Sequence, residues 1–310
     1  MEDSRMLNDI KKLEIGKQQE IQLVIKNAEQ AITRNGERYQ KLLVRDGNDH
    51  EAIFFNFSEA IQGNFPLVVK AKVDTSEFRE SACSKLLSYE LDKDAKPEDF
   101  LPKPQVNVKD TLTLIKKKYA AIRPSLKVIA KNVLNVYYKP FCSYPLNRTG
   151  SFARSAGILE ATAKLVVLAE QTAAVSNLDK DLMVAGALLY YIGNTQTINN
   201  SYNYTADDVL LGNGISAAMI IQTTVNNIMN GTDEQEKGQI VEEDVKLLIH
   251  ILTSRYRGIP TAIAEASALR HLDALLNETE SIKCAQKENE AGTTIFDKNL
   301  YSNRIYCPVN

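Results

Sequence analysis

Three histidines, His50, His250 and His271, are all that 310 residues contain. None stands beside an aspartate and no two have metal-ligand spacing, which argues against a histidine-rich metal centre. The four cysteines, Cys83, Cys142, Cys284 and Cys307, lie far apart with no CxxC pair. They build neither a zinc site nor a disulfide framework, and they read as reduced thiols in a cytoplasm. None has a basic activating neighbour with a histidine partner, so nucleophilic catalysis has little support. No Walker-type or dinucleotide glycine loop is present; Gly212-Asn213-Gly214 reads as a turn. The longest apolar run, around Leu182 to Ile192, is too short to cross a bilayer. Met1-Glu2-Asp3-Ser4-Arg5 lacks the apolar core of a signal peptide. A net charge of −2 gives no global electrostatic argument for nucleic acid, so any basic surface must be local.

What is there is the composition of a globular protein, 44% hydrophobic and 25% charged, with length for one large domain and one small one. Residues 1–16 form a polar leader. From Glu20 the period becomes two, Leu23 and Ile25 alternating with Gln22, Val24 and Lys26. Arg38 to Arg45 follows the hairpin signal Asn35-Gly36. Asp46-Gly47-Asn48-Asp49 marks another turn, and Glu51 to Phe57 a third strand. Gly63-Asn64-Phe65-Pro66 precedes the β-rich Leu67 to Val73, and Ser84 to Leu91 supplies a fifth strand. Five short strands without room for crossover helices predict a small antiparallel barrel over 17–92, most economically an OB-fold. Pro97, Pro102 and Pro104 mark a linker over 93–107. Helical stripes then begin, Leu112/Ile115/Tyr119/Ile122 and Leu126/Ile129/Val133/Val136. Further helices fit 155–175, 179–192, 206–230, 241–255 and 260–279, giving an all-helical domain over 108–279. Residues 280–310 form a polar, irregular tail. The fold class is α+β, multidomain.

Val184-Ala185-Gly186-Ala187-Leu188-Leu189-Tyr190-Tyr191-Ile192-Gly193-Asn194 resembles the helix that carries the adjacent His and Asp metal ligands of HD-domain phosphohydrolases, with tyrosines at both ligand positions. Thr33-Arg34-Asn35-Gly36 with Tyr39, Asp99-Phe100-Leu101-Pro102, Gly157-Ile158-Leu159-Glu160-Ala161-Thr162 and the ending Phe296-Asp297 to Cys307-Pro308 extend the likeness over most of the chain. Together they resemble the YhaM-type 3′-to-5′ exoribonucleases, which join an OB-fold to an HD domain. The departures share one direction. Ser151-Phe152 replace a His-His pair, Ala161 a His, Asn194 a Lys, and Asn213 or Gly214 a further His. Thr253 to Gly258 covers a serine-His-His-glycine turn, and Arg270 aligns with a metal Asp, or Asp273 does one turn later. Water activation depends on several donors converging on the ion, so the resemblance implies a degenerate HD-like domain with no catalytic residues, no metal and no cofactor.

Two surfaces remain as candidates. On the barrel, alternation turns Leu42 and Val44 inward and sets Tyr39, Lys41 and Arg45 outward. On the third strand Ile53, Phe55 and Phe57 suit the core, which leaves Phe54 outward. Rings interleaved with cations suit single-stranded nucleic acid, and Lys70, Lys72 and Arg79 would extend the groove. Glu37, Asp46, Asp49, Glu51, Asp74, Glu77 and Glu80 dilute that charge, and protein contact is an equal alternative. In the helical domain, Arg255, Arg257 and Arg270 either stand in for the ion in a phosphate pocket beside Tyr190 and Tyr191, or pair with Glu265 or Asp273. The tyrosines either stack on a ligand or fill vacated volume. Lys116-Lys117-Lys118 reads as a solvated helix face, and His250 as a hydrogen-bonded core residue.

The expectation is a catalytically inactive, YhaM-like pseudoenzyme that binds single-stranded RNA or DNA or acts as a scaffold, away from membranes. It would assemble with itself or with a related protein, as the resemblance implies. The alternatives are a protein-interaction module, and a residual metal-dependent phosphodiesterase using Asp207, Asp208 and Asp273.

Overall fold

The computed structural model describes residues 6–48, 50–63, 65–78, 81–148, 150–198, 203–255, 258–287, 289–297 and 303–309. The chain divides into two compact units, one centred on the residues up to Lys103 and the other on those from Pro104. No helix among the described residues is long and apolar enough to cross a membrane.

The first unit is a closed five-stranded barrel. Its strands are β1 (Lys17–Ile32), β2 (Arg38–Arg45), β3 (Glu51–Asn56), β4 (Leu67–Phe78) and β5 (Ser81–Leu91), in the order β1-β2-β3-β5-β4. β1 is long enough to serve two neighbours. Its first half pairs with β4 and its second with β2, and an irregularity between Ile25 and Asn27 lets it turn the corner. The turn after Ile32 uses Gly36 at φ +85, where a side chain would be strained. β3 closes the ring by running parallel to β5. Closure gives each strand of the barrel a neighbour on both sides over part of its length. Ile21, Leu23, Ile25, Leu42, Val44 and Val69 are among the side chains filling the interior.

Phe54 belongs to that interior, which corrects the outward position expected for it. Its ring is 2% exposed. In an antiparallel pair, directly opposite residues share a face, and Phe54 lies opposite Leu42 while Ala52 lies opposite Val44. With Leu42 and Val44 inward, Ile53, Phe55 and Phe57 must face out.

The flanking segments also pack. Leu7, Ile10 and Leu13 lie against the barrel core, and Asp46 fixes them there. Its buried carboxylate accepts from the amides of Ile10 (2.7 Å), Asn48 (2.7 Å) and His50 (3.0 Å). After β5, the short turn Pro97–Phe100 lays Phe100 against Val24 and Val68, so the proline-bearing stretch also offers an apolar contact.

The second unit is helical: α1 (Val108–Ala120), α2 (Pro124–Val136), α3 (Tyr138–Ser143), α4 (Gly157–Ser176), α5 (Lys180–Leu189), α6 (Asn194–Thr197), α7 (Ala206–Leu210), α8 (Gly212–Asn230), α9 (Glu234–Gln239), α10 (Glu242–Thr253) and α11 (Ala264–Lys287). The Asp179 side chain caps α5 by accepting from Leu182 N–H. Every residue from Leu182 to Leu189 is then buried. A Cβ on Gly186 would meet Leu269 Cδ1 at 2.8 Å, and one on Gly193 would meet the Asn213 carbonyl oxygen at 1.8 Å. Both glycines therefore set how closely α11 and α8 approach this segment. α11 runs past the expected end at 279, and the tail forms a hairpin of β6 (Thr294–Asp297) and β7 (Asn303–Tyr306) with Ile305 and Cys307 buried.

Phe54→Ala is expected to cost about 3–5 kcal/mol of stability, the range for truncating a core Phe. Denaturant unfolding of the full chain measures it; a cost near that of a surface substitution, roughly 0.5 kcal/mol, would return Phe54 to the outside.

Candidate functional site

On the barrel, the outer face of β2 and β3 carries Tyr39, Lys41 and Leu43 against Ile53, Phe55 and Phe57. Tyr39 stacks on Phe57 with centroids 5.2 Å apart at 17°, and Phe55 lies 6.1 Å from Tyr39 at 40°. Phe57 is 47% exposed. Lys85 on β5, in parallel register with Phe55, holds its ammonium 5.7 Å above the Phe57 ring. Lys41 lies opposite Phe55 across the β2–β3 pair and is exposed. Arg38, at the start of β2, lines an open recess of about 570 Å³ with Tyr39, Gln30, Asn56 and Ser58. The amides of Gln40 and Asn56 at its floor are spent holding the segment after β3: Gln40 Nε2 donates to the Ile61 carbonyl, and Asn56 Nδ2 donates to Gln40 Oε1.

The remaining expected members are arranged differently. Arg45 is half-buried, with its Nε 3.4 Å from the Glu51 carboxylate, which also takes Lys26 at 2.5 Å. Lys70 and Lys72 lie on β4, which borders only β1 and β5. Lys70 sits 3.7 Å from Asp92, and Lys72 lies opposite Glu20. They are therefore not part of the Tyr39 surface. Arg79 lies outside the described residues. Sequence reasoning missed Phe57, Phe55, Lys85 and Arg38. The first two were legible only through the β2–β3 register.

In the helical unit, the two tyrosines that follow Leu189 are sealed. Tyr190 and Tyr191 are both buried, edge to face with centroids 5.4 Å apart. The Tyr191 hydroxyl donates to Asp273 Oδ1 at 2.6 Å. The Arg255 guanidinium lies 4.4 Å from the Tyr190 ring centre and 5.5 Å from that of Tyr191, and its Nη1 donates to the Tyr190 carbonyl at 2.8 Å. Its Nη2 is 3.7 Å from Asp273 Oδ2. Asn277 Nδ2 donates to Asp273 Oδ1 at 2.7 Å, and the Ser151 hydroxyl to Asn277 Oδ1 at 2.8 Å. The segment thought to replace a His-His pair is thus joined to the tyrosines through Asn277 and Asp273. The Tyr190 hydroxyl is buried without a hydrogen-bond partner.

Burial pushes both tyrosine hydroxyls well above their ordinary range. The Arg255 charge opposes this at Tyr190, while Asp273 adds to it at Tyr191. Both stay neutral, which lets Tyr191 act as donor. Arg255 pairs with Asp273, as one expectation had it; Glu265 instead accepts from the Asp179 amide. Arg270 is half-buried, and Arg257 lies outside the described residues.

Asp207 and Asp208 sit together on α7, without a histidine. Among the described residues, the group whose donor atoms approach metal-ligand proximity is Asp9, Asp46 and His50 in the barrel unit. Hydrogen bonds from Ile10, Asn48 and His50 already occupy the Asp46 oxygens. His250 accepts from Ala262 N–H at 2.9 Å. Burial pushes the Cys142 thiol up, away from a reactive thiolate. No protein-family model matches the chain, and no solved structure matches it.

Beside this network lies a buried ion cluster. Arg154 donates to Glu160 (2.8 Å) and Glu280 (2.5 Å), and Lys164 reaches both carboxylates. Burial pushes each carboxyl up, but the Arg154 bonds and the lysine charge outweigh it and leave both below the ordinary 4.5.

Two outcomes follow from these networks. Asp273→Ala strips the acceptor from Tyr191 and Asn277, an expected loss of about 1–3 kcal/mol; urea unfolding that shifts by less than roughly 0.5 kcal/mol contradicts the network. Because the folded values of Glu160 and Glu280 are depressed, their stabilisation is complete above the ordinary carboxyl value and is lost as pH falls through the folded values. Glu160→Gln should therefore flatten the acid limb of a stability-against-pH curve below about pH 4.5. An unchanged limb would assign acid sensitivity elsewhere.

Proposed function

We propose that this chain binds single-stranded nucleic acid on the β2–β3 face of its barrel and performs no chemistry on it. One observation carries the reading: an outward stack of Tyr39 on Phe57, flanked by Phe55, with Lys85, Lys41 and Arg38 around it. Every base has a face that can stack on such rings, and the cations neutralise phosphates without reading sequence. The strand order and the parallel β3–β5 closure support an OB-type barrel.

The helical unit is read as a degenerate HD-like domain. Its support is the filled position of the dyad, where Tyr190, Tyr191, Arg255 and Asp273 bond to one another and offer no metal-ligand set. Four free thiols support a reducing compartment such as the cytoplasm. Ile53 and Phe57 are also exposed apolar residues on the same face, so a protein partner is the competing occupant.

Fluorescence anisotropy with short labelled RNA and DNA oligonucleotides over a salt series decides between them. Affinity is expected to fall linearly in log–log form with salt. Tyr39→Ala and Phe57→Ala should each weaken binding by about 1–3 kcal/mol, and Lys85→Ala should lower the salt slope by about one. Lys70→Ala and Lys72→Ala should change little. Absence of binding at low salt sinks the proposal in favour of a protein-contact face.

A further inference from the structure

Charge in the helical unit is segregated along the chain, and each extreme exposes an apolar surface. From Val108 to Ser143, across α1, α2 and α3, eight lysines and arginines face a single carboxylate, Asp110. Lys118, Arg123 and Lys131 are neutralised by Glu170, Asp179 and Glu236. Lys116 and Lys139 have no ion-pair partner among the described residues. Between these helices lies a cavity of about 180 Å³, walled by Leu112, Ile115, Tyr119, Leu134 and Phe141, with Lys116 and Lys131 as its charged lining. An apolar cavity of roughly 150 Å³ admits a benzene-sized group, so this one has room for a leucine side chain.

The complement lies elsewhere in the same unit. From Asp181 to Glu236 the chain contains no Lys, Arg or His, and its carboxylates are Asp181, Asp207, Asp208, Asp233, Glu234 and Glu236. Within that stretch α7 projects Val209 and Leu210, 82% and 77% exposed, directly after Asp207 and Asp208. Ile215 and Met219 on α8 are also exposed. Neither carboxylate on α7 has an ion-pair partner among the described residues.

We propose that α7 of one copy docks into the α1–α3 cavity of a second copy, seating Leu210 against Leu112, Ile115 and Phe141. Asp207 and Asp208 then meet Lys116, which lines the cavity, and Lys139, which follows the lining residue Tyr138. The apolar insertion supplies the affinity, and the opposed charges select the partner and speed its approach. Because socket and plug are different patches on one chain, the contact builds a reciprocal pair, a ring or, where the rotation does not close, an open filament. The inference is independent of the nucleic-acid reading, since it uses only the helical unit.

Sedimentation velocity of the full chain tests it. The wild type should associate at low salt and dissociate progressively as salt screens the rim charges. Leu210→Lys and Lys116→Glu should each weaken association by about tenfold or more. Circular dichroism should stay unchanged, because both side chains are at the surface. Val175→Lys, at an exposed apolar position of α4, is the control and should leave association intact. A monomeric wild type at low salt overturns the proposal. So does association that survives either substitution in the socket or plug, or that the control weakens equally.

Discussion

The helical unit depends on how closely backbone can approach backbone around α5. Gly186 admits the side chains of Leu269 and Ile251, and Gly193 admits the main chain of Asn213 at a distance no Cβ would tolerate. With helices drawn in this far, the space after Leu189 is set by the side chains that fill it, and here two tyrosines do so. Interiors pack without large voids, and the two rings leave none here, both being buried. Their polar ends are handled unequally. Tyr191 finds Asp273, whereas the Tyr190 hydroxyl is unbonded, an expense of about 1–3 kcal/mol for such a group. Arg255 offsets part of this, lying over the Tyr190 ring while bonding its carbonyl. A guanidinium so placed also offsets the charge of Asp273, 3.7 Å from its Nη2.

The barrel answers to a different constraint, the pairing register of β2 and β3. Once Leu42 and Val44 are inside, the partner of each is inside too, and a shift of one residue would exchange every side chain between core and solvent. Asp46 holds the turn that sets this register, and the same carboxylate pins the leading segment through Ile10. Burial alone would raise its proton affinity, yet the amide bonds from Ile10, His50 and Asn48 bring it below the ordinary value. The outward aromatic surface is thus a consequence of a turn several residues away.

Much of the barrel was legible because its punctuation is local. Asn35-Gly36 falls at the β1–β2 turn, and Lys17 begins β1 where the polar leader was thought to end. The face of β3 was not legible. Ala52, Ile53, Phe54, Phe55 and Phe57 are apolar on both parities, so alternation carries no sign, and only the cross-strand partner supplies one. Lys85 was invisible for a related reason, since its place beside Phe57 comes from a parallel pairing between strands distant in sequence. In the helical unit the run Leu182 to Leu189 announced a buried helix, but the link from Ser151 through Asn277 and Asp273 to Tyr191 joins residues far apart in the chain. The helix beyond 279 and the terminal hairpin were hidden by polar composition, because few of their side chains reach a core.

A net charge of −2 conceals a separation that matters more than the sum. The helices from Val108 to Ser143 are strongly basic, while the chain from Asp181 to Glu236 holds no cation. Internal ion pairs absorb part of the imbalance: Arg123 ties α2 to Asp179 and Asp244, and Lys131 ties it to Glu236. What these pairs leave over is the charge free to act on other molecules. On the helices it borders an apolar cavity, where opposed charges from a like chain can be desolvated together. On the barrel, Lys85 and Lys41 border flat exposed rings, an arrangement suited to a flexible polyanion with bases to stack. The same kind of residue is thus suited to different contacts according to whether its apolar neighbours form a socket or a platform, and salt would screen either contact for one reason.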